Sequence, residues 1–233
     1  MTIPLDPQWS VDPKLIMNCK DCIAECCKHI AVPVDAPTTW EDFQRIRHYV
    51  SHDGVTVYLD GDGDWLVEFL AKCDQLDGNR CKAWGTNGYP TICGEYDMAS
   101  CIMNDPGDYW VTIFRTPADV DAYCAQHKIT GTAMTGHPGP CVSVPIETPK
   151  DIKDFDDIRW YLAHRDVAVY RKGSAWFVHL HTFCTTDCQE RAARNLLPTD
   201  CDEIFIDWES ITSYCRMHPP LPNTDSKVTF LEP

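Results

Sequence analysis

The chain has 233 residues, a formal charge of -15 and a sequence pI near 4.8. That length buries a hydrophobic core without staples and allows one or two domains. The acidic surplus argues against a nucleic-acid backbone or an anionic membrane as partner. No run of 18 apolar residues occurs, which excludes a membrane-spanning helix. The start, Met1-Thr2-Ile3-Pro4-Leu5-Asp6-Pro7, has neither the basic nor the apolar region of a signal peptide, so a cytoplasmic location is expected. Fourteen cysteines in a reducing compartment read as thiols for metal, cluster or redox chemistry, not as a disulfide framework.

In chain order, the first feature is Cys19-Lys20-Asp21-Cys22-Ile23-Ala24-Glu25-Cys26-Cys27, four thiols in nine residues arranged C-x2-C-x3-C-C. An extended Val-Pro segment follows at Val32-Pro33. Then comes a helix whose N-terminus is marked by the pair Thr39/Asp42 and whose apolar face is Phe43, Ile46 and Val50. Val55, Val57 and Leu59 alternate with polar residues up to the turn Asp60-Gly61-Asp62-Gly63-Asp64, and Trp65 to Leu70 returns, which predicts a hairpin. Cys73, Cys81, Cys93 and Cys101 follow in a glycine-containing loop region. Tyr109 to Phe114 is strand-like, and Pro117 to His127 has the composition of a short helix carrying Cys124. Gly131 to Pro140 reads as a linker.

After the linker the pattern returns. Residues 144–170 match residues 32–58 at 12 of 27 positions with a constant offset of 112, including Pro37/Pro149, Phe43/Phe155, Arg47/Arg159, His52/His164 and Tyr58/Tyr170. One deletion later the match continues through Trp65/Trp176 and Val67/Val178 to Cys73/Cys184. Asp151/Asp154 repeats the capping pair, and Val167 to Tyr170 turns at Lys172-Gly173 into Ala175 to Leu180. Cys184 to Leu197 reads helical and Ile204 to Trp208 strand-like. The expected fold is therefore α+β, with two related helix–hairpin units packed as a pseudo-dimer around one or more cysteine-ligated centres. The expected units are 14–110, the cysteine-cluster half, and 125–215, a degenerate repeat, followed by a proline-containing tail, 216–233.

Two cysteines separated by two residues can reach one ion, and a second such element closes the site. Cys19, Cys22, Cys26 and Cys27 form a leading group and Cys73, Cys81, Cys93 and Cys101 a trailing one, so all eight are candidate ligands of a metal or cluster. The repeat lacks the C-x2-C-x3-C-C knot. Its cysteines Cys141, Cys184, Cys188, Cys201 and Cys215 are candidates for a second site, or else small apolar core residues. His29, His179 and His181 are secondary ligand candidates. The repeat makes Asp60, Asp62 and Asp64 a hairpin tip in preference to a calcium loop, because the equivalent turn is Arg171-Lys172-Gly173. Retention of Arg47/Arg159 and His52/His164 in both halves points to helix-end packing, and Trp65/Trp176 to core.

The ordered series C-x2-C-x3-C-C, helix, hairpin, then Cys73…Cys81…Cys93 resembles the YkgJ-like cysteine-cluster family, a zinc- or iron-chelating domain, over residues 19 to about 101. The chain keeps Pro90 between Cys81 and Cys93 but has Tyr89 where arginine is usual in that family. The resemblance implies metal or cluster binding and carries little about substrate. Thiolates suit zinc and iron–sulfur alike. The surplus of cysteines, with Trp84 and Tyr89 nearby, favours an iron–sulfur cluster, of the 4Fe-4S type and one or two in number, with zinc as the alternative. The expected function is electron transfer, or support of an oxidoreductase or maturation system, through a protein or redox partner. The alternatives are a structural zinc protein acting as an interaction module and a metal-dependent enzyme of unknown substrate. No nucleotide-binding, serine-hydrolase or zincin motif supports a particular enzyme class.

Overall fold

A computed structural model describes residues 24–83, 86, 92–93, 110–131, 142–180 and 201–220. It contains two α+β units of the same design. In the first, β1 (His29–Val34), β2 (Val55–Asp60), β3 (Trp65–Leu70) and β6 (Trp110–Phe114) form an antiparallel sheet in the order β1-β3-β2-β6. Helix α1 (Trp40–Tyr49) connects β1 to β2, and α2 (Pro117–His127) follows β6. A two-residue ribbon, β4 (Leu76–Asp77) with β5 (Arg80–Cys81), lies between β3 and β6. In the second unit β7 (Val142–Ile146), β8 (Val167–Lys172), β9 (Ala175–Leu180) and β10 (Glu203–Phe205) form the order β7-β9-β8-β10. There α3 (Ile152–Leu162) and α4 (Trp208–Met217) take the places of α1 and α2.

Local chemistry accounts for these elements. Thr39 and Asp151 cap α1 and α3 with full capping boxes, in which an aspartate at N3 (Asp42, Asp154) returns the bond to the cap's own amide. Thr116/Asp119 and Asp207/Ser210 do the same for α2 and α4. At the first hairpin tip the buried Asp60 carboxylate accepts from the amides of Asp62 (3.0 Å) and Asp64 (2.8 Å), and Gly63 supplies the positive φ of 95°. The tip is a hairpin turn, as the repeat implied. The Val-Pro segments, expected only to be extended, are the edge strands β1 and β7. Pro33 and Pro145 are tolerated there because an edge strand has a side on which no N–H is needed.

The repeat runs further than the 112-residue offset reveals. Phe114/Phe205, the caps Thr116/Asp207, Val120/Ile211, Tyr123/Tyr214, Cys124/Cys215 and His127/His218 correspond at an offset of 91. Each unit consequently holds the same aromatic cluster. Trp65 stacks on Phe114 (6.0 Å) beside Phe43 and Tyr123; Trp176 stacks on Phe205 (5.4 Å) beside Phe155 and Tyr214. Tyr123 stacks on His127 and Tyr214 on His218 one turn later. The strand and helix at 110–127 thus complete the first sheet and its helical layer, so that unit extends past residue 110. The two cores merge into one apolar cluster, with β1 lying alongside β7. The Tyr49 hydroxyl, at the end of α1, donates to the Ser143 carbonyl of the other unit at 3.2 Å.

Candidate metal centre

The topology sets described members of both cysteine groups, Cys26 and Cys27 of the leading one and Cys73 of the trailing one, at one end of the first sheet. Cys26 and Cys27 stand just before β1, in a single 3-10 turn, Glu25–Cys27, and Cys73 stands just after β3. Because β1 and β3 are antiparallel neighbours, the entrance to one and the exit of the other lie at the same end of the sheet. Their ladder continues past the strands: the Ala71 amide donates to the Lys28 carbonyl and the Cys73 amide to the Cys27 carbonyl, both at 2.8 Å. Ala24, buried and left-handed at φ 62°, opens the turn that carries Cys26 and Cys27, and its carbonyl accepts from the Cys27 amide at 3.1 Å.

The ribbon β4–β5 then folds Cys81 back. Gly78, at φ 58°, makes its turn, Leu76 pairs with Cys81, and the Lys82 amide donates to the Gln75 carbonyl at 2.8 Å. The backbone amides of Gln75 and Leu76 favour the charged form of Cys73, and the Leu76 amide donates to the Cys73 carbonyl at 3.1 Å. Backbone donors two and three residues past a cysteine stabilise a thiolate, and sulfur centres are tuned by such bonds.

Burial and neighbouring thiols oppose ionisation of several of these cysteines. Cys27 is held well above the ordinary thiol range, first by its hydrogen bond with Cys26, then by burial and by the charges of Cys26, Cys73 and Cys93. Burial, reinforced by Cys26, Cys73, Cys81 and Asp156, pushes Cys93 up to about 12. Burial also raises Cys73, with Cys81 and Asp74 adding to it against the two amides. These charges reach one another because the Cys73 amide bonds the Cys27 carbonyl and the ribbon returns Cys81 to Leu76, at the same end of the first sheet. None of Cys26, Cys27, Cys73, Cys81 and Cys93 is joined in a disulfide. Among the described residues, no three histidine, cysteine, aspartate or glutamate side chains converge closely enough to hold one ion.

Cys19, Cys22 and Cys101 lie outside the described residues, as do Cys141, Cys184, Cys188, His181, Trp84, Tyr89, the helix expected at Cys184 to Leu197 and the tail beyond 220. Of the second group only Cys201 and Cys215 are described. Cys215 is a buried member of the hydrophobic cluster at the position equivalent to Cys124, and burial raises its thiol to about 11 although Arg159 opposes this. The apolar position accounts for it as a core residue.

The secondary candidates have other partners. His29 Nδ1 is 2.8 Å from Glu68 on the neighbouring strand, and His179 Nδ1 is 2.7 Å from the Ser143 hydroxyl. Arg47 pairs with Asp121 of α2 (2.9 Å). Arg159, beside Asp156, places its guanidinium 3.7 Å from the Trp208 ring of α4, so each arginine ties together the two helices of its unit. His52 and His164 both close helix ends, with Nδ1 2.9 Å from the His48 carbonyl and 2.8 Å from the Trp160 carbonyl, respectively.

Sequence reasoning missed the second unit's part in this neighbourhood. Asp156 acts on Cys93, and the residues after α3 bind the backbone at Cys73: the Asp74 amide donates to the Ala163 carbonyl (2.8 Å) and the Arg165 amide to the Lys72 carbonyl (2.9 Å). His164 forms the bridge opposite Cys73. The retention of His164 in the repeat was the available signal, but it pointed only to helix-end packing. No family model, no curated protein and no solved structure matches the chain.

Proposed function

We propose that the protein is a cysteine-cluster metalloprotein, an iron–sulfur protein of the 4Fe-4S type that transfers electrons or serves an oxidoreductase or maturation system through a protein partner. The observation that carries this reading is the ordered cysteine series of the first half, together with the backbone bond that sets Cys26 and Cys27 beside Cys73 at one end of its sheet. Burial and neighbouring thiols raise Cys27, Cys73 and Cys93, and so disfavour their charged forms unless something replaces their protons. A bound metal does so, and its affinity then rises with pH. The nearby backbone amides that favour a charged Cys73 suit a metal-bound thiolate, and the cysteines of this half, with Cys19, Cys22 and Cys101, exceed the four that one zinc ion takes. The resemblance of the cysteine series to the YkgJ-like family agrees with this reading.

A structural zinc site is the second reading. It is favoured by the rigid setting of Cys73 between two backbone ladders, where a metal would pin the two units together. Among the described residues no helix is long and apolar enough to cross a membrane.

Anaerobic purification followed by iron, zinc and acid-labile sulfide analysis tests the proposal. The expected result is a brown protein with iron and sulfide in near-equal amounts, an electron paramagnetic resonance signal after reduction, and loss of both in Cys27→Ser and Cys73→Ser. Colourless protein with stoichiometric zinc would move the assignment to the second reading. Protein holding neither metal would overturn both.

A further inference from the structure

We draw no further inference here: the strongest candidate, the open groove between α1 and the C-terminal end of α2 that Trp40, Cys124, Ile129 and Gly131 line, carries none, because nothing in the structure shows what covers it.

Discussion

Asp157, on α3, is a carboxyl whose setting opposes its charge. Burial, and after it the neighbouring Asp156, Asp154 and Asp151, raise it from 3.8 to about 6 against the pull of Lys153. Between those values the folded chain keeps a proton that the unfolded chain has released. The stabilisation is complete below 3.8 and is lost as pH rises through 6. Asp157→Asn should therefore raise the unfolding free energy by about 2 kcal/mol at pH 8 and by little at pH 4. Urea titrations at the two pH values check this, and an equal effect at both would contradict it. Buried cysteines offer a second contrast at this scale. Cys124 and Cys215 occupy equivalent core positions, so serine at either should cost about 1–3 kcal/mol by burying a hydroxyl while leaving metal content unchanged. Metal loss in Cys215→Ser, measured beside the Cys27→Ser variant, would instead place Cys215 in a second site.

Single elements of this chain are strongly specified by their ends. Each of α1 to α4 starts on a reciprocal cap, and in three of them an aspartate at N3 does what a longer glutamate usually does. The exposed Thr39 hydroxyl accepts from the Asp42 amide at 3.2 Å, and the Asp42 carboxylate accepts from the Thr39 amide at 2.9 Å. Thr39→Ala should lower stability by about 1 kcal/mol through this one end, seen as a lower urea midpoint with an unchanged slope. A change in slope would mean that the variant altered more than the cap. The caps of α1 and α3 were legible because the spacing of a capping pair is local; the helix α4 was not, since the stretch expected as a strand to Trp208 ends at Phe205 and Asp207 caps a helix there. The strands β6 and β10 were harder to place: a short strand takes its meaning from its partner, and Val57, Tyr58 and Leu59 of β2 supply that partner to β6 only in the folded unit.

At the scale of the whole molecule the two units share one apolar cluster, a Tyr49–Ser143 hydrogen bond and the backbone bridge at Cys73 and His164. Neither unit has a core separable from the other. The chain should therefore unfold in a single transition, with far-UV circular dichroism and tryptophan fluorescence coinciding. Two resolved transitions would show that the units hold together less firmly than their packing implies.

What the amino-acid sequence determined by itself was the local and the repeated: the capping pairs, the hairpin turns, the duplicated stretch from Val32 to Cys73 and the two groups of cysteines. These signals depend on neighbours a few residues apart, or on a constant offset. The offset changes after Cys73/Cys184, because the segments between hairpin and last strand differ in length, and so the Phe114/Phe205 and Cys124/Cys215 correspondences were hidden. Only the tertiary structure decided which end of the sheet collects the thiols, since that depends on β1 pairing antiparallel with β3. It alone also placed His164 opposite Cys73, because packing two units edge to edge brings together residues that no sequence spacing relates.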